Sequence, residues 1–254
     1  MGIRNVAGLL LVAAVYSLSI ACDDSEKPKN PFDPSPSATK KPPPVTEPPK
    51  VEGAPEVRVT ADGIKVGFDN VLIDKEDGQQ RLRRALAPHK RYFEGVDVTV
   101  PVDRKAQLPW VIALIQEMNA LGAKHVVIKT ETRPEFPKEL KFTPQAQVKN
   151  PRPCSVVMVV REDRSTAVWK LSGGTAMRRA RGFAGPDLTT TAETLERFIK
   201  QCDESTAMFV SAQRPVEWGL AYDLAASAQK VDGANFDTIV LLEEEPTPGR
   251  PVKL

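Results

Sequence analysis

Residues 96–131, VDVTVPVDRKAQLPWVIALIQEMNALGAKHVVIKTE, admit few folds. Val96, Val98, Val100 and Val102 alternate with Asp97, Thr99 and Pro101, the two-residue period of a half-buried strand. Leu108, Val111, Ile112, Ile115 and Met118 then recur at helical spacing. Pro109 falls in the first turn, where its missing N–H costs nothing. Gly122 follows the last apolar turn, where a helix commonly ends in a left-handed residue. His125–Ile128 resumes an extended apolar run. Strand, helix and strand at these lengths predict a parallel βαβ crossover.

Around that unit, residues 57–60 and 64–68 flank the turn pair Asp62-Gly63 and predict a hairpin. Residues 79–92 predict a helix with Leu82, Ala85 and Leu86 inside and Arg81, Arg83 and Arg84 outside. This order, β-β-α-β-α-β, resembles the periplasmic domain of the ExbD/TolR family of biopolymer-transport proteins. The matching residues are the hairpin at Asp62-Gly63, a strand ending in Asp103, and a helix with Trp110 near its start. Leu121-Gly122-Ala123 and a second apolar strand complete the match. The resemblance implies pairing through periplasmic domains, a recurring Asp at position 103, and partners within a proton-driven transport complex or at the cell wall. Members of that family also carry a membrane helix with an acidic residue. No Asp or Glu lies between Met1 and Cys22, so the resemblance does not extend to that helix.

The first 22 residues read as a bacterial lipoprotein signal: Arg4, an apolar run over 6–15, and Ser19-Ile20-Ala21 before Cys22. Cys22 is the predicted lipidation site, although Ser19 stands where such signals usually have Leu. Cleavage near Ala21 and an uncleaved anchor are the other readings, the last disfavoured by the short apolar run. Residues 23–55, centred on Lys40-Lys41-Pro42-Pro43-Pro44, cannot bury a core and predict a disordered, extended spacer.

Beyond residue 131 the order repeats. Residues 132–153 form a connection with a short strand at 139–142. Strands follow at 155–160, 167–171, 207–212 and 236–242, and helices at 190–200 and 216–229. Laying Trp110 on Trp218 aligns Val102 with Val210, Asp103 with Ser211 and Gly122-Ala123 with Gly233-Ala234. The expected fold is therefore α+β, two tandem ExbD/TolR-like domains with helices on one face of each sheet. The expected boundaries are 1–22 signal, 23–55 linker, 56–131 first domain, 132–153 connection, 154–245 diverged second domain and 246–254 tail. An intramolecular pseudo-dimer of the two domains is the expected assembly.

Catalytic chemistry has no candidate here. His89 and His125 lie in separate elements without a neighbouring ligand, so neither a metal nor a cofactor is expected. Ser172-Gly173-Gly174-Thr175 lacks phosphate-loop spacing and reads as a strand-exit turn. A net charge of +2 gives no nucleic-acid signal. Asp103, Trp110 and Trp218 are the candidate partner contacts, against the plainer roles of loop capping for Asp103 and packing for the tryptophans. Cys154 and Cys202 either bridge one another in an oxidising compartment or remain two separate thiols. The sequence thus predicts a non-catalytic, lipid-anchored scaffold of the cell envelope. Substituting Cys22→Ser is expected to move the protein from the membrane to the soluble fraction on fractionation of cells. Unchanged membrane association would refute the lipid anchor.

Overall fold

In the first half of the folded chain, buried and more exposed residues alternate along residues 57–60, 97–101, 125–129 and 139–142, and the buried apolar ones share a core with the helices. The computed structural model describes residues 53–151, 153–177, 188–200, 206–234 and 236–254. Cys22, the signal region and nearly all of the proline-rich stretch lie outside the described residues, as does Cys202. The architecture is mixed α+β, with three sheets and, among the described residues, four α-helices.

β1 (Val57–Thr60), β2 (Gly63–Val66) and β3 (Asp69–Val71) form an antiparallel sheet in the order β1-β2-β3. α1 (Gly78–Leu86) follows and tightens into a 3-10 turn over Ala87–Tyr92. β4 (Asp97–Pro101), α2 (Leu108–Ala120) and β5 (His125–Lys129) are the expected parallel crossover, in register from Asp97↔His125 to Pro101↔Lys129. β6 (Glu139–Phe142) returns antiparallel along β5. A parallel bridge, Val59↔Val102, links the first sheet to the β4 chain.

The second half repeats this order. β7 (Val156–Val160) and β8 (Thr166–Ser172) form a hairpin, with β9 (Thr175–Ala176) added across the Gly173-Gly174 turn. α3 (Leu188–Ile199), β10 (Thr206–Ala212), α4 (Trp218–Ala228) and β11 (Phe236–Leu241) follow. The neighbour order β9-β8-β7-β10-β11 reproduces β3-β2-β1-β4-β5 once the Val59↔Val102 bridge is counted. The short third strands β3 and β9 are absent from the sequence reading because each holds too few residues to show a period.

The halves do not bury separate cores. The described residues from Gly53 to Leu254 belong to one compact unit. One apolar cluster takes in all four helices and the inner faces of the strands of both halves. At its centre Trp218 packs against Phe142 of β6 and Tyr222 of its own helix, with ring centroids 5.7 and 5.6 Å apart.

The outer faces differ. β4 alternates exposed and buried residues, whereas every residue of β7 is buried. The outer face of the second half carries its own apolar cluster, including Val157, Trp169 and Phe209, against which Val148 and Val252 pack. Continuous apolar character in Val156–Val160 reflects burial on both faces. The C-terminal residues are therefore not a loose tail. Val252 N–H donates to Gly174 C=O at 2.8 Å and Ala176 N–H to Arg250 C=O at 3.2 Å, strapping the chain along β9. Truncating Trp218→Ala is expected to cost about 3–5 kcal/mol through cavity formation. Urea titration should show one unfolding transition for both halves, moved to lower denaturant.

Candidate functional site

The loop after β4 and the first turn of α4 meet at the seam between the halves. The first N–H groups of a helix have no partner within it. Glu217, the N-cap of α4, supplies no side-chain cap. Instead Trp218 N–H donates to Ala106 C=O and Gly219 N–H to Arg104 C=O, each at 2.8 Å. The approach is close: a Cβ on Gly219 would sit 2.9 Å from Arg104 Cβ.

Arg104 then reaches one turn along α4. Its Nη1 and Nη2 donate to Asp223 Oδ1 and Oδ2 at 2.9 and 2.7 Å, and Nη1 also donates to Glu131 C=O at 2.8 Å. Thr132 Oγ1 donates to Asp223 Oδ1 at 2.7 Å. Burial by itself pushes the Asp223 carboxyl up, but the hydrogen bonds from Arg104 and Thr132 and the cation's charge outweigh it and leave it below its ordinary value. Trp218 Nε1 donates to Thr130 Oγ1 at 2.8 Å, and Tyr222 O–H to Pro137 C=O at 3.0 Å. Burial, then the charges of Glu139 and Asp223, push the Tyr222 phenol well above its ordinary value. The expected connection 132–153 is thus tied to α4 along its first part.

These contacts reset the alignment of the halves. Asp103 N–H donates to Val59 C=O, and Gln213 N–H to Val160 C=O, each at 2.8 Å. Ala106 N–H donates to Asp103 C=O at 3.0 Å, and Val216 N–H to Gln213 C=O at 2.9 Å. Asp103 therefore corresponds to Gln213, not to Ser211, and the caps Gln107 and Glu217 coincide and bridge one another. Trp218 is the first residue of its helix and Trp110 the third, so the two tryptophans are not equivalent. Matching indole to indole shifted the sequence alignment by two positions. Gly233 likewise lies in a turn beyond α4, whereas Gly122 follows α2 directly.

Neither tryptophan forms a contact platform. Trp218 is fully buried; Trp110 is buried and its Nε1 donates to Asp74 Oδ1 at 3.1 Å. Both take the packing role. Asp103 is exposed, and its Oδ1 accepts the Lys105 N–H at 2.9 Å, which makes it a loop cap. Cys154 is disulfide-bonded, and Cys202, its expected partner, lies outside the described residues. His125 pairs with Asp97 at 2.9 Å on the exposed face. Among the described residues no group of three His, Cys, Asp or Glu is placed to hold a metal, and no helix is long and apolar enough to cross a membrane.

A groove of about 590 Å³ opens further along the seam, between β6 and β11. Thr130 N–H bonds Lys138 C=O, so Lys138, Leu140 and Phe142 direct their backbone groups to β5. Glu139, Lys141 and Thr143 direct theirs the other way, towards β11. Among the described residues, Thr143 N–H to Ile239 C=O at 2.8 Å is the one backbone bond between these two edges. Elsewhere the edges part, with Phe136, Leu140, Phe236 and Ile239 forming apolar walls and Lys141 and Lys230 at the rim. An open pair of strand edges can accept an extended chain.

No protein-family model, curated protein or solved structure matches the chain.

No motif in the sequence pairs Arg104 with Gly219 and Asp223. One signal was present: an acidic residue within the apolar run WGLAYDLAASA needs a buried partner. Gly219→Ala would stabilise an ordinary helix interior by about 1 kcal/mol. Here it is expected to destabilise by roughly 1–3 kcal/mol, because the Arg104 loop must retreat. Asp223→Asn should cost about 1–3 kcal/mol at neutral pH, the low end applying because Arg104 is a third exposed. A carboxyl with a depressed folded pKa stabilises above its unfolded value, and that stabilisation disappears as pH falls through the folded value. The gap between parent and Asp223→Asn should therefore be full above about pH 4 and close below it, as read by denaturant titration across pH.

Proposed function

We propose that the protein is a non-catalytic, lipid-anchored component of the bacterial cell envelope, built from two ExbD/TolR-like units, that binds partners of a biopolymer-transport or envelope-maintenance system. The lipoprotein-type signal ending at Cys22 and the proline-rich spacer support the anchor. The repeated element order, with matching neighbour order in both halves, supports the paired-unit reading. One observation carries the binding role: the groove between the open edges of β6 and β11, apolar in its walls and charged at its rim. An extended segment of a partner satisfies those edges by backbone hydrogen bonds, and side chains at alternate positions meet the Phe136 and Phe236 walls.

The reading assigns the chain no proton-coupling role, since the signal region holds no carboxyl group. It acts as a tethered acceptor beside an energised complex, and its spacer sets how far from the membrane the groove operates.

The test is a photo-activated crosslinker in place of Lys141, at the groove, or of Glu162, in an exposed turn away from it. In intact cells position 141 is expected to capture membrane subunits of a transport complex or cell-wall material, and position 162 is not. Equal yields from both positions would remove the groove as the binding site. A position-141 adduct containing no component of an energised complex would point to a structural lipoprotein unconnected with transport.

A further inference from the structure

The chain enters the folded body at a corner with an unusual surface. At Gly53, the first described residue, an added Cβ would lie 3.0 Å from Tyr92 Oη. Three residues on, Glu56 C=O accepts the N–H of Gly67 at 2.8 Å. Gly67 and Phe68 form the tip of the β2–β3 hairpin, and Gly67 has the positive φ of +58° that so short a turn requires. The entry point is therefore flanked by the hairpin tip on one side and by the end of the 3-10 turn on the other.

Phe68 at that tip is fully exposed, the most exposed large apolar side chain among the described residues. A single exposed apolar residue is ordinary on a protein surface. This one has particular neighbours. Behind it on the outer face, Arg58 and Lys65 are cross-strand partners and both are exposed. Across the entry point stand exposed Lys90 and Arg91, with Arg91 over the Tyr92 ring at 4.7 Å and bonded to its hydroxyl. The acidic groups here are Glu56, Asp69 and Glu94. Glu56 and Glu94 sit 3.7 Å from Arg58 and Lys90 in exposed pairs that water screens. An exposed aromatic at the extremity, a tyrosine on the other side of the entry point and four cations set against three carboxylates form the pattern of a surface that sits in a lipid interface.

We propose that this corner docks on the phospholipid headgroup layer, with Phe68 inserted below the phosphates and Lys65, Arg91 and their neighbours bonded to them. The proposal rests on the lipid-anchor reading in one respect: a chain anchored at Cys22 reaches β1 through this corner, so the corner lies on the tethered side. Docking orients the body, so that the spacer ceases to be a free tether.

The experiment uses the full chain reconstituted into vesicles of phosphatidylethanolamine and phosphatidylglycerol at three to one, with spin-labelled lipid as quencher. Phe68→Trp places a reporter at the tip. Trp110, Trp169 and Trp218 are buried, and the unsubstituted chain gives their background. The expected result is a blue-shifted emission quenched by the labelled lipid. The docked-to-undocked ratio should fall about fivefold for each positive charge removed, read with Lys65→Ala and Arg91→Ala in the Phe68→Trp chain. Quenching no greater than background, or quenching that neither substitution changes, overturns the proposal. Flotation of the same samples separates the two readings. Protein that floats without quenching keeps the anchor and loses the docking face. Protein that fails to float loses the anchor, while quenching in excess vesicles still upholds docking.

Discussion

The donation of two helix N–H groups across the seam is the interaction on which the arrangement of the halves depends. α4 begins with no side chain to cap it, and its first turn is buried, so water cannot serve. The carbonyls of Arg104 and Ala106 take that place, and Gly219 is the residue that lets the loop come so near. Once the loop is there, the guanidinium of Arg104 is delivered to Asp223, and Glu131 and Thr132 of the connection are drawn into the same network. Fold and electrostatics reinforce each other: the cap places the ion pair, and the pair holds the loop that makes the cap.

The Gly219 contact has no counterpart in the other direction among the described bonds, and the reason is covalent. α2 has Pro109 where α4 has Gly219, and proline has no N–H to donate. The repeat therefore meets itself unequally. The asymmetry continues outward, since the first half leaves its outer face to solvent while the second buries both faces beneath residues that include Val148 and Val252. β6, supplied by the connection, pairs with β5 and turns its free edge to β11, which leaves the groove. A symmetric pair of units would have no such inserted strand.

The features that the described residues leave open to other molecules lie at a seam and at a corner. The buried polar groups that the sequence made prominent, the two indole nitrogens, are satisfied internally by Asp74 and Thr130. Backbone edges and the exposed hairpin tip remain available to other molecules, and both are features of shape and position that a list of residue types does not express.

The sequence by itself determined the longer elements, though not the short strands β3 and β9. Val98, Val100 and Val102, the helix of Leu108–Ala120 and the strand of His125–Lys129 are read directly from period and turn residues, because each element's burial pattern is local. The strand at Glu139–Phe142 and the repeated order of the second half were legible for the same reason. Tertiary structure alone decided the register between the copies, where the backbone bonds of Asp103 and Gln213 override the resemblance of the tryptophans. It alone merged two expected domains' apolar faces into one cluster, and brought Arg104 to Asp223 across more than a hundred residues of chain. Periodicity records which side of an element is buried. It carries no information about which distant element does the burying, since any apolar face of the right size satisfies the hydrophobic requirement equally.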